Sequence, residues 1–101
     1  MTSNVKKEEI AKKNDQFRRT FVGGKVMLTS GVESDVNLEK VIEAVKKFED
    51  FTEDTYGEHD FGKITIDEED YFFKIDYYDA DYKYFEVNGL RLLTIMRSEE
   101  Y

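Results

Sequence analysis

At 101 residues, with 40% hydrophobic and 15% aromatic side chains, the chain has material for one small core and is too apolar to read as disordered, although 38% of it is charged. The lack of cysteine excludes disulfides, thiolate zinc sites and cysteine nucleophiles. The formal charge of -8 is uneven: residues 1–47 carry ten Lys/Arg against seven Asp/Glu, net +3, whereas residues 48–101 carry five against sixteen, net -11, together with 13 of the 15 aromatics.

The N-terminal stretch "SNVKKEEIAKKNDQFRRTF" is built of helix formers with a thin apolar stripe of Ile10, Phe17 and Phe21. It predicts a helix peripheral to the single domain spanning 1–101, with Lys12, Lys13, Arg18 and Arg19 on a solvated basic face. The start "MTSNVKKEEIAKK" lacks the apolar middle of a secretory signal, and no run reaches the roughly 18 to 20 apolar residues of a membrane span. The expectation is a cytoplasmic chain with no membrane partner. "GGKVMLTSG" predicts a buried strand from Lys25 to Thr29 between glycines. "NLEKVIEAVKKFEDF" sets Leu38, Val41, Ile42, Val45 and Phe48 at intervals of three and four, which predicts an amphipathic helix N-capped by Asn37.

Further on, "FGKITI" and "YFFKIDYY" flank "DEED" and predict a hairpin with a charged tip. Strand alternation puts Tyr71, Phe73, Ile75 and Tyr77 on one face, and Phe72, Lys74, Asp76 and Tyr78 on the other. In "YKYFEVNGLRLLTIM" the Asn88-Gly89 pair predicts a two-residue hairpin loop pairing Glu86 with Arg91, Tyr84 with Leu93 and Tyr82 with Ile95. The order α-β-α and then strands gives an α+β fold: an antiparallel sheet of about four to five strands with two helices packed on one face. Val41, Val45 and Phe48 are expected to meet Phe73, Ile75, Leu93 and Ile95.

The stretch "FTEDTYGEHDFG" gathers Glu53, Asp54, Glu58 and Asp60 around the chain's single histidine, His59. Hard oxygens and one imidazole suit magnesium, manganese or calcium better than zinc, but the spacing matches no known calcium loop. His59 as a general base would need a nucleophile, and Ser30 and Ser34 lack the surroundings of a nucleophile elbow. The preferred reading is a turn. Gly57 supplies a left-handed residue, Phe51 and Phe61 anchor the two ends in the core, and His59 locks the turn by bonding a carboxylate or a backbone carbonyl. The runner-up is a small metal-assisted hydrolase or ligand-binding module centred on Glu58, His59 and Asp60; no cofactor is expected. "FVGGKV" lacks the lysine-serine of a phosphate loop and reads as a turn.

The acidic, tyrosine-rich half carries the partner-binding expectation: Asp67, Glu68, Glu69, Asp70, Asp76, Tyr78, Asp79 and Asp81. Strand neighbours at i and i+2 lie about 6.6 to 6.8 Å apart, comparable to successive phosphates, and Asp67/Glu69 and Asp79/Asp81 have that spacing. Tyrosines among carboxylates also suit a protein interface. A net charge of -8 argues against direct nucleic-acid binding, so the expected partner is a basic nucleic-acid-binding protein. Excess apolar surface at Phe72, Tyr78, Phe85 and Leu92 would also serve a homodimer.

Four blocks, "NDQFRRTFVGGKVMLTSGV", "FEDFTEDTYGEHDFG", "FFKIDYYD" and "LLTIMRSEEY", resemble in order the blocks of the bacterial domain-of-unknown-function family 3768, over roughly residues 14–101. The segment between KIDYYD and LTIM is shorter than that family's usual pattern, and the helix is lysine-rich where the family's is arginine-rich. The resemblance implies no activity; it implies a setting on mobile elements, near genes for antirestriction and plasmid maintenance. Acidic surface and implied setting together lead to the expectation of a non-enzymatic inhibitor of the anti-defence type, such as an anti-CRISPR or antirestriction protein.

Overall fold

The structure, a computed structural model, describes residues 2–52, 57–79, 81 and 89–101, with side chains from Lys7 onward. The elements run α1 (Thr2–Thr20), β1 (Gly24–Leu28), α2 (Ser30–Glu33), α3 (Leu38–Lys47), β2 (Phe61–Ile66), β3 (Glu69–Tyr78) and β4 (Leu90–Arg97), closed by a 3-10 turn over Ser98–Glu100. The four strands form one sheet in the order β1-β4-β3-β2.

Period-two alternation decides β3. Tyr71, Phe73, Ile75 and Tyr77 are buried, while Phe72, Lys74, Asp76 and Tyr78 on the opposite face are half-buried. The β2–β3 tip is tighter than the four acidic residues suggest, because Glu69 pairs with Ile66 and Asp70 with Thr65. Asp67 and Glu68 alone make the turn, at φ 51° and 69°, the two left-handed positions of a turn whose twist matches the strands.

The sheet is mixed, where a purely antiparallel one was expected. β4 runs antiparallel to β3, with Phe73 opposite Ile95 and Ile75 opposite Leu93, and parallel to β1, with Val26 opposite Leu93 and Leu28 opposite Ile95. The Asn88-Gly89 hairpin, with Tyr82, Tyr84 and Glu86, lies outside the described residues. Arg91, Leu93 and Ile95, which it was expected to pair, are instead bonded between β3 and β1. This central place in the sheet explains the apolar, β-branched reading of β4, since a strand flanked on both edges and covered on one face has little contact with water. Gly24 is required where β1 meets β4, because a Cβ there would collide with the Arg91 carbonyl and come within 2.9 Å of the Phe17 ring.

All three helices cover the same face. Ile10 and Phe17 of α1, Val32 of α2, and Val41 and Val45 of α3 join Tyr71, Phe73, Ile75, Tyr77, Leu93 and Ile95 in one core cluster, with Phe48 packed against it. The rings of Phe48 and Phe73 meet edge to face at 5.1 Å. Thus α1, expected at the periphery, contributes to the core, and Arg18, expected on a solvated face, is fully buried. Asn37 stands at the N-cap of α3 but makes no side-chain cap; its N–H donates to Asp35 Oδ1 at 2.8 Å. Phe73 lies at the centre of this packing with no exposed surface. Phe73→Ala should therefore cost about 3–5 kcal/mol; an unchanged denaturant midpoint would contradict the packing described.

Candidate functional site

The eight acidic-surface positions do not form one surface. β3 is ten residues long, so at about 3.3 Å per residue its ends lie roughly 30 Å apart. Asp67, Glu68, Glu69 and Asp70 sit at one end; Asp76, Tyr78, Asp79 and Asp81 sit at the other. The phosphate-like spacing also fails, because Asp67 lies in the left-handed turn and Asp79 and Asp81 lie beyond the strand. Much of the charge is met within the chain. Asp67 is 3.8 Å from Lys40 Nζ, Glu69 is 2.5 Å from Arg97 Nη2, Asp70 is 3.7 Å from Lys63 Nζ, and Asp76 is 3.6 Å from Lys74 Nζ. Asp79 Oδ1 accepts the Asp81 N–H at 3.1 Å.

Arg97 is the centre of a clasp. Its guanidinium donates to Asp35, Glu69 and Glu99, while Tyr71 OH donates to Asp35 Oδ2 at 2.7 Å. Glu100 accepts from Thr29 Oγ1 at 2.6 Å, from the Gly31 N–H at 2.9 Å and from the Arg97 N–H at 2.9 Å, tying the C-terminal turn to α2. The Asn37 N–H and then the Tyr71 hydroxyl hold the Asp35 carboxyl below its usual range, with Arg97 adding to both.

The GEHDFG turn forms a second polar centre, against α1. Gly57 is left-handed at φ 71°, and so is His59 at φ 57°, a conformation that costs a residue bearing a Cβ and must be held by its surroundings. The His59 ring is held from two sides. Its Nδ1 lies 3.0 and 3.1 Å from the two Asp15 oxygens, and its plane stacks on Phe51 at 4.0 Å between centroids. The carboxylate draws the ring proton to Nδ1. Asp15 also accepts from Arg18 Nη2 at 2.8 Å, and Arg18 Nη1 donates to the Val45 and Lys46 carbonyls at 3.0 and 3.2 Å, so the C-terminal end of α3 is tied to α1.

Asn14, fully buried, is the hub. Its Nδ2 donates to the Glu58 carbonyl at 2.9 Å and to Tyr77 OH at 2.8 Å, and its Oδ1 accepts from Arg91 Nε at 2.6 Å. Tyr77 OH donates to Asp60 Oδ2 at 3.4 Å, and burial raises this hydroxyl far above the usual phenol range, so it acts as a neutral donor. In the runner-up metal set the Glu58 backbone carbonyl meets Asn14, while the His59 and Asp60 side chains meet Asp15 and Tyr77. Among the described residues no three His, Asp or Glu side chains are placed to share a metal ion, and Glu53 and Asp54 lie outside them. Ser34 Oγ donates to the Ser30 carbonyl at 2.9 Å within the α2 region. The turn reading of His59 matches these contacts, with one correction. Phe51 packs on the core, but Phe61 lies on the opposite face of the sheet, because alternation gives the core side of β2 to Gly62, Ile64 and Ile66.

Among the described residues no α-helix packs on that opposite face, although Met96 and Thr94 of β4 are buried there. Phe61 and Phe72 lie 5.2 Å apart, and Tyr101 rests on both, at 5.5 and 5.1 Å. On the same face Met27, at the other edge of the sheet, is 51% exposed, Leu90, at the start of β4, 39%, and Tyr101 73%. Sequence reasoning did not find Asn14, Asp15, Arg18 and Arg91 as a set. The available signal was the thinness of the α1 stripe, where polar residues occupy helix positions that pack.

Compared with known proteins, residues 27–100 match the family described as "Protein of unknown function (DUF3768)", and the chain belongs to that family. The match leaves α1 outside it. No curated protein and no solved structure matches the chain.

If the His59–Asp15 contact locks the turn, His59→Ala should destabilise the fold by about 1 kcal/mol. In a double-mutant cycle with Asp15→Ala the two losses should couple; strictly additive losses in chemical denaturation would dissolve the pairing. The Asp35 clasp sets an acid limb. Because its native carboxyl titrates below the ordinary value of about 4, its contribution is present above that value and is lost as pH falls through the lower native one. Melting temperature should fall on acidification below about pH 4, and Asp35→Asn should flatten that fall; parallel acid limbs for parent and variant would exclude Asp35 as a contributor.

Proposed function

We propose that the chain is a non-enzymatic interaction protein of the anti-defence kind that docks a basic, nucleic-acid-binding protein on the sheet face opposite its α-helices. The observation that carries this reading is the apolar surface on that face, where Met27, Leu90 and Tyr101 are exposed and Tyr101 rests on Phe61 and Phe72. Exposed apolar and aromatic patches of this kind are typical of interaction sites. Asp70, Asp76 and Tyr78 share that face. Their lysine contacts, at 3.6 and 3.7 Å on half-exposed side chains, are worth little in water, so a cationic partner can replace them. The mobile-element setting implied by the family resemblance points toward a host defence protein as partner.

The reading departs from the sequence expectation in its geometry. Asp67 and Glu69 are engaged by Lys40 and Arg97, which leaves Asp70 and Asp76 as the strand carboxylates on the apolar face. Association should be steered by charge and weaken with salt, since screening acts within about 8–10 Å at physiological ionic strength. The test is inhibition of a captured partner's nucleic-acid binding by the parent, by Asp70→Lys/Asp76→Lys and by Met27→Ser/Leu90→Ser. The expected result is slower association for the charge variant, faster dissociation for the apolar variant, and competition between parent and DNA or RNA. Equal inhibition by all three proteins would exclude this face. A dimer in solution that Met27→Ser/Leu90→Ser dissociates would assign the face to a second copy.

A further inference from the structure

On the helix side of the sheet, away from the face just described, a cavity of about 460 Å³ opens between the second half of α1 and the start of β4. Lys13, Gln16, Phe17, Thr20, Gly23 and Arg91 line it. Its volume falls in the range of about 300–1,000 Å³ typical of small-ligand sites. We infer that this groove binds a small molecule with an oxyanion head group, phosphate or carboxylate, on an apolar body, the head on Arg91 and Lys13 and the body along Val22 and the edge of Phe17.

The argument starts from how the chain treats its arginines. Arg18 pairs with Asp15, Arg19 approaches Glu49 at 3.6 Å, and Arg97 is met by three carboxylates. Arg91 is 9% exposed, yet among the described residues it has no carboxylate partner. Its Nε donates to the neutral Asn14 amide, and its guanidinium lies 5.1 Å from the Tyr77 ring centroid. Burial lowers its pKa and no carboxylate offsets that cost, so the charge is held in an incompletely compensated place. Its Nε is the bonded nitrogen, and Arg91 forms part of the groove wall.

A guanidinium held at its Nε in the wall of a groove has its two Nη groups left to offer a phosphate or carboxylate as a fork. Lys13, exposed on the rim and without an ion pair among the described residues, supplies a second positive charge. Val22, 74% exposed, gives the groove an apolar wall, with the edge of the buried Phe17 at its floor. Thr20 Oγ1 already donates to the Gln16 carbonyl and accepts the Val22 N–H, so the polar selectivity rests on Arg91 and Lys13. The "FVGGKV" turn contributes Gly23 to the lining but no cradle of its own, in keeping with its lack of a phosphate-loop pattern.

The test uses the full chain and four probes, AMP with adenosine and benzoate with benzyl alcohol, followed by backbone amide shifts. Saturable shifts at Gln16, Thr20 and Gly23 are expected with at least one anion at a dissociation constant of about 1 mM or below, and none with its neutral counterpart. Saturation by AMP assigns the head group to phosphate, and saturation by benzoate assigns it to carboxylate. Lys13→Met, on an exposed helix position, and Arg91→Lys, which keeps the charge but loses the fork, should each weaken binding about tenfold. If Arg91→Lys unfolds, Lys13→Met alone carries the comparison. No saturation by either anion, equal shifts with the neutral probes, or parent-like affinity in the variants would overturn the assignment.

Discussion

Ile10, Ala11 and Phe17 are a thin stripe with which to hold a nineteen-residue helix on a sheet, and buried polar groups anchor α1 beside them. Asn14 reaches the turn carbonyl, the β3 tyrosine and the β4 arginine, while Asp15 and Arg18 reach the histidine and the last carbonyls of α3. Directional contacts of this kind fix the helix in rotation and translation, where a few hydrophobic contacts would allow sliding. The left-handed turn at His59, the burial of Tyr77 and the mouth of the groove at Arg91 all depend on where α1 is seated.

The same network redistributes the chain's charge. Read along the sequence, the C-terminal half is an acidic block. In three dimensions its carboxylates meet cations: Lys40 of α3 for Asp67, and Arg97 at the end of β4 for Glu69, an arginine that also holds Asp35 of the N-terminal half. Surface pairs such as Lys40–Asp67 add little stability. Their effect is on the field the protein presents to others, which is weaker at the hairpin tip than the count of acids suggests.

What the sequence made legible was whatever is written locally. The alternation in YFFKIDYY and the three-and-four spacing of Val41, Val45 and Phe48 each state a period, and both survive folding because burial rewards that period. The type of the β2–β3 turn was less legible, since Asp and Glu take left-handed positions that Gly or Asn would advertise. Contacts between Asp15 and His59, 44 residues apart, and the parallel placement of β1 were not legible, because neither leaves a periodic trace. Arg18 was misread for a physical reason: an arginine near a helix end normally remains in water, and its burial here depends on α3 carbonyls that a single segment cannot reveal. Phe61 was misplaced by treating a large aromatic as a core residue without asking which parity its strand neighbours would take.

The order of the strands has a consequence for how the chain folds. β4 lies between β1 and β3 yet is the last strand along the chain, so the centre of the sheet arrives after both of its neighbours. Thr29 must find Ile95 across 66 residues, a loop closure whose entropy is paid before the core rewards it. Topologies of such high contact order fold slowly, and until β4 docks, the edges of β1 and β3 stand as unpaired templates. During synthesis the β2–β3 hairpin can form early, but β1 must wait with its apolar face uncovered. The interval between making β1 and making β4 is therefore the period in which this protein is most exposed to aggregation and most dependent on chaperones.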